Sequence, residues 1–564
     1  MPLPHHPPGV VHDHVQSLLR LPPKPHRLLP ASLHHRGRRE RALLSVNRQL
    51  SGPGIHVCEG DTVIAEVHNF MENGRGTSVH WHGMHQVGTQ HMDARFHASP
   101  AGTHYWHSHS GLQRSEAIFG PLWSGRPRRP TPACNDTDQP EHTLLALRLA
   151  EAPSPPAPPA APKLPATCSE FAAAFAHRVR VISNAILNCP FVLSVANHSL
   201  LVIATDGAPV VPIESNSLII YAGERFDFVL TADPTAWQLP ADGGRPGRLR
   251  LPLHHGQSAI VSYAGIDETP LQGAGNPAYS DMLGRPGGRQ LNPFNRAPDA
   301  NHIDVTSLRT PAGWPPADHL TVDGPVDAKF YLAFDFEVVN NSRYHHPAYY
   351  PISAVRKSDG HLYTPQINNV ALHMPPAPLL YQFDDVLQSH ICNNTDFDPA
   401  WRPNSRPATH ALRLGVNKTV SWCSSTKGSP SMPATPVPPA RPFLRVIGME
   451  KLGKNVSVAE VKRRTRPACC AGIWNRPVMK DTFHVEIGMG LLLLVDDAAS
   501  WSAGVPANSR ACGQLEGSPG PDRRWQQREL RLAETHRLQH DGSGLLPLAL
   551  CCSLPWLLRL VEIV

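Results

Sequence analysis

The chain has 564 residues, 41% of them hydrophobic, and a formal net charge of +6; that is too long for one hydrophobic core and suits about three to four domains. Its 60 Pro and 41 Gly penalise helix and favour short strands joined by long loops. Basic groups are short and scattered, GRPRRP at 125–130 and KRRTR at 462–466, so no dense basic face for nucleic acid is expected.

Residues 1–42 are rich in His, Pro and Arg, show no period, and read as a disordered tail. They lack the apolar stretch of a secretory signal, so either the protein is not secreted or its true start lies elsewhere. From 43 to 124 the texture becomes β-like; IHVCEGDTVIAEVHNF (55–70) alternates apolar and polar residues as a half-buried strand pair around the turn EGD. Residues 125–166 form a Pro/Ala-rich linker. Strand patterns return over 167–300, in HRVRVISNAILN, SLLVIATDG and SLIIYAGERFDFVLTA, and point to a β-sandwich. A third domain over 301–496 holds AKFYLAFDFEVV and FLRVIGMEKLG, with a helix expected at 456–465, capped by Ser457 and Glu460. Residues 497–564 form an irregular tail. Its last 21 residues are apolar and long enough to anchor in a membrane, but Pro547, Pro555, Arg559 and Glu562 interrupt them. Eleven Cys, an odd number, and six Asn-x-Ser/Thr sequons lean toward a secreted, glycosylated chain.

Eight of the 33 His lie between residues 80 and 109, and two pairs have the form His-x-His: VHWHG (His80, His82) and YWHSHSG (His107, His109). Residues i and i+2 of a strand share a face, so each pair presents two imidazoles to one side, and two such strands offer four nitrogens to a shared metal. Imidazole suits copper, zinc, iron and nickel. With so many His, a lone pair such as His12 and His14 arises by chance and carries nothing; the Gly-flanked, strand-like context separates the other two. His85, His91, His97 and His104 fall outside the pairs and read as surface or loop residues.

The segments HWHGMHQVGTQHMD (80–93) and AGTHYWHSHSGLQRSEAIFGPL (101–122) resemble the first two copper motifs of the multicopper oxidases, in a form similar to the laccases of insects and other arthropods. Blocks in 181–233, 365–380, 445–463 and 483–490 resemble the second and third domains of that family. The resemblance implies an all-β chain of tandem cupredoxin-like Greek-key sandwiches, three in number, the first and third incomplete. It implies a copper-dependent oxidoreductase that oxidises phenols and diphenols and reduces dioxygen to water, using four coppers and secreted from the cell. By position His80 would bind the mononuclear-type copper of the cluster, and His82, His107 and His109 the coupled pair. His484 fits the blue-copper histidine and Met489 its weak axial ligand.

The chain departs from the pattern twice. The family's HPxHLHG should precede RVIGMEK, but PVPPARPFLRVIGMEK (436–451) holds no His. MKDTFHVEIGMG (479–490) runs from KDT straight into FHVEIGMG, so the expected HCH and its copper-binding Cys are missing; Cys469 and Cys470 are not placed to substitute. The joins have clean edges, which points to omitted coding segments rather than gradual drift. As it stands the chain is expected to bind fewer coppers than the family. The alternatives are a non-catalytic copper-binding β-sandwich using His80, His82, His107 and His109, a metal-free chain, and a ferroxidase, for which Glu486 is the one acidic candidate beside His484.

Overall fold

The computed structural model describes residues 16–21, 26–27, 42–49, 51–71, 76–86, 95–111, 113–126, 143–147, 168–171, 176–185, 190–195, 198–231, 248–251, 257–263, 288–293, 300–313, 328–338, 363–368, 370–372, 391–392, 407–414, 420–426, 429–434, 444–445, 476–482 and 492–495. Among them every regular element is a β-strand apart from one 3-10 turn, Val305–Ser307, so the all-β expectation holds.

Two sheets build the first sandwich. One has the order Ile55–Cys58, Phe119–Gly125, Gly102–Ser108, Val79–His82; the other pairs Gln16–Leu21, Thr62–Asn69 and Arg95–His97. Both segments of the expected 55–70 pair are strands, but they do not pair with each other. Asp61 accepts the Cys58 N–H at 2.8 Å while Gly60 N–H bonds to Ala98 O at 2.8 Å. The turn is thus tied to a third segment, and the chain crosses from one sheet to the other. Each strand still alternates: Ile55 and Val57 in the first, Val63 and Ala65 in the second, enter one core with Trp81, Phe96, Trp106 and Leu122.

The second sandwich sets a five-stranded sheet, ordered Thr143–Leu147, Ala176–Asn184, Arg225–Thr231, Leu200–Thr205, Ala208–Ser215, against a larger sheet that includes Phe191–Val195 and Ser217–Ile220. Val181, Leu193, Val202, Leu218, Phe226 and Phe228 fill its core. Leu200–Thr205 and Ala208–Ser215 are joined by Asp206 and Gly207 alone, both at positive φ (+49° and +79°), as a two-residue hairpin whose turn matches strand twist requires.

The domain limits shift in three places. Gln16–Leu21, in the segment expected to be disordered, pairs in parallel with Thr62–Asn69 and covers its edge. Thr143–Leu147, in the expected linker, pairs with Ala176–Asn184, and Leu144 packs on the second core. His302–Ile303 pairs with Gln290–Leu291, and Ile303, Val305, Leu308 and even Val478 join that same core, because apolar surface there needs cover that the second domain's own strands do not supply. The helix expected at 456–465, the asparagines of the six sequons and the apolar C-terminus lie outside the described residues. No helix among the described residues is long and apolar enough to cross a membrane.

Candidate metal centre

Val79–His82 runs antiparallel to Gly102–Ser108, in a register that sets His80 opposite His107 and Trp81 opposite Trp106. Strand alternation then sends the two indoles together into the core, both fully buried, and the imidazoles to the other face. Trp81 packs on Phe96 with ring centroids 4.9 Å apart, and Trp106 donates its N–H to Pro53 O at 3.1 Å. These anchors fix the height from which the histidines project.

His80, His82 and His107 bring their ligand nitrogens within 4.8 Å of one another. Their ring centroids are 5.0, 5.1 and 5.7 Å apart. His109 leaves the strand just after Ser108; it is exposed, with its ring 5.7 Å from His80 and 5.8 Å from His107. All four predicted histidines therefore gather at one place, three of them tightly. His484 and Met489 lie outside the described residues.

His107 Nδ1 lies 2.9 Å from the Ser108 carbonyl oxygen, which can only accept, so Nδ1 carries the proton and Nε2 keeps its lone pair. That Nε2 is 3.5 Å from Nδ1 of His82, whose own Nε2 is 2.9 Å from Thr482 Oγ1. Burial drives both rings well below the ordinary imidazole range, helped by Arg225 at His82 and by Arg114 at His107. Both are therefore neutral at physiological pH, the form that ligates a metal. A neutral, convergent imidazole set fits copper.

A buried ionic frame holds this face. Asp481 takes both terminal nitrogens of Arg225, and Lys480 Nζ lies 3.1 Å from Asp206 and 3.0 Å from Glu224. Burial opposes the charge on Lys480, but Asp206 and Glu224 outweigh it and raise its pKa. Asp206 also accepts the backbone N–H groups of Asp481 and Thr482 at 3.3 and 3.2 Å. Beside this frame, Asp227 accepts from Arg178, Arg180 and, at 2.7 Å, the Thr103 hydroxyl. Gly223, at φ +82°, lets its turn press on the site: a Cβ there would lie 3.0 Å from His82 Cε1 and 3.2 Å from Thr482 Cγ2.

Reasoning from the sequence missed Thr482, Arg225 and Arg114, whose charges and hydroxyl carry no local signal. It also misplaced His104. That residue is fully buried in Gly102–Ser108, because the Asp206–Gly207 turn packs over it; it is not a surface histidine. His97 is exposed as expected, His85 is half-buried, and His91 lies outside the described residues.

A family model described as multicopper oxidase matches residues 166–265, and a second with the same description matches 31–125. A laccase-2 of Botryotinia fuckeliana is 28% identical over 243 residues, covering 35% of this chain and 41% of its own length. A Neurospora crassa laccase is 29% identical over 226 residues, 34% of this chain and 36% of its own. A laccase-2 of Cryptococcus neoformans var. grubii is 36% identical over 118 residues, 18% of this chain and 20% of its own. The chain thus spans about two fifths or less of the length of these relatives. The matches support the multicopper oxidase family. These relatives are fungal, and the expected nearness to arthropod laccases gains no support from them.

Proposed function

We propose that this chain is a laccase-like multicopper oxidase, whose complete form takes electrons from phenolic or diphenolic substrates and passes them to dioxygen, giving water. The observation that carries the reading is the convergence of His80, His82 and His107 within 4.8 Å inside a segment that the family model matches. In this reading His80 holds the mononuclear-type copper, while His82, His107 and His109 hold the coupled pair. His484 and Met489 serve the blue copper. Bound copper supplies one-electron chemistry; the protein's share is to hold neutral imidazoles at fixed spacing and to shield them with the Lys480–Thr482 segment. The domain plan is three cupredoxin-like sandwiches, and the sequons favour an extracellular, glycosylated product.

A second reading, a copper-binding sandwich without turnover, is favoured by one observation: no His in 436–451 and no HCH between Thr482 and Phe483. Copper per chain, visible absorption and dioxygen uptake with 2,6-dimethoxyphenol test both. This chain should bind copper that His82→Ala/His107→Ala loses, without a blue band. A version with both missing motifs restored should turn blue and consume dioxygen. Copper binding that survives the double substitution would sink the site; a restored version that binds copper but never turns over would favour the second reading.

A further inference from the structure

Thr482 follows His82 by 400 positions, yet its hydroxyl oxygen lies 2.9 Å from His82 Nε2. The hydroxyl has one hydrogen to give. Asp481 Oδ1, 2.8 Å away, and Gly223 O, 3.4 Å away, can only accept; Arg225 Nη1, 3.3 Å away, can only donate. The carboxylate is the closest and strongest acceptor, so the hydrogen goes to Asp481. The oxygen's lone pairs then remain for Arg225 and His82, and His82 must carry its proton on Nε2 to donate. Its own lone pair is left on Nδ1, the atom 3.5 Å from His107 Nε2. His107 has already committed Nδ1–H to the Ser108 carbonyl. Two imidazole lone pairs therefore face each other, an arrangement that is repulsive until a cation lies between them.

We propose that Thr482 is a positioning residue for the metal centre: by accepting from His82 Nε2–H, with Asp481 taking its own hydrogen, it fixes the His82 tautomer and aims Nδ1 at the metal. The proposal rests on the reading of His82 and His107 as ligands. A hydrogen-bonded partner on the far nitrogen of a ligating histidine commonly governs ring orientation, and its loss lowers metal affinity by about 10–100-fold.

The full chain, Thr482→Val and Thr482→Ser provide the test, with two readouts. Long-range ¹H–¹⁵N spectra of the metal-free, ¹⁵N-histidine-labelled proteins report the His82 tautomer; a chelator competition reports copper affinity. The parent and Thr482→Ser should show the Nε2–H form, while Thr482→Val should show a mixture with Nδ1–H. Copper affinity should fall about 10–100-fold in Thr482→Val, with Thr482→Ser close to the parent. An unchanged tautomer and affinity in Thr482→Val would overturn the proposal. So would a Thr482→Ser protein as impaired as the valine variant, since packing rather than the hydroxyl would then matter. Should Thr482→Val not fold, an Nδ1–H tautomer in the parent still refutes it. A parent that binds no copper at His82 and His107 would overturn the ligand reading separately, with the tautomer readout deciding the positioning role on its own.

Discussion

His104 gives the sharpest quantitative prediction. It is fully buried, its Nε2–H donates to Pro100 O at 3.0 Å, and its Nδ1 has no hydrogen-bond partner among the described residues. Burial, with Arg225 adding to it, lowers its pKa from 6.5 to about 3. The folded state therefore holds it neutral, while the unfolded chain protonates it near pH 6.5. The sign follows: its contribution is intact above pH 6.5 and is lost progressively as pH falls from there toward about 3. The full span of 6.5 − 3 = 3.5 units corresponds to about 5 kcal/mol at about 1.36 kcal/mol per unit. By pH 5.5 the loss should be about 1.4 kcal/mol, and by pH 4.5 about 2.7 kcal/mol. His104→Leu removes the titration, at a cost that does not vary with pH. Other buried histidines add to the parent's slope but are common to both proteins, so the difference between them isolates this one. Native-state hydrogen exchange of the Gly102–Ser108 amides reads the opening free energy of that strand without assuming that several domains unfold as one. The gap between variant and parent should move by about 1.4 kcal/mol in the variant's favour between pH 8 and 5.5. A gap that stays constant over that range would show that His104 is hydrated or paired, and would refute the reasoning.

Two further substitutions probe the frame around the histidines. Asp206→Ala leaves Lys480 and the Asp481 and Thr482 N–H groups short of an acceptor and should destabilise by about 3–5 kcal/mol; adding Lys480→Met should recover about 1–3 kcal/mol relative to the sum of the single changes, measured by the same exchange experiment. Gly102→Ala would place a Cβ 2.5 Å from Gly207 Cα, a backbone atom that can yield only if the Asp206–Gly207 hairpin moves. It should cost about 1–3 kcal/mol and raise protease cleavage at that hairpin, with unchanged cleavage as the contrary result.

The all-β class was legible because alternation, Pro and Gly all argue the same way, and the histidine cluster was legible because a period of two puts HWH and HSH side chains on one face. What escaped was long-range. KDT carries no local sign of burial, yet Lys480 and Thr482 are buried, since their partners Asp206 and Arg225 stand more than 250 positions earlier. His104, outside the two His-x-His pairs, reads as a surface or loop residue until a hairpin from the second sandwich closes over it. The 55–70 segment shows two strands plainly but not that its turn is bonded to Ala98, which sends them to different sheets.

The bond between His82 and Thr482 also sets an order of events in the cell. At roughly 5–20 residues added per second, the 400 positions between them take the ribosome roughly 20–80 s. Throughout that interval the first sandwich can fold while His82 Nε2 still lacks its Thr482 partner. In the proposed reading, metal bound before that segment is made meets His82 without its Thr482 partner, and metal bound afterwards meets it with that partner in place, so the timing of supply becomes part of how the site is filled.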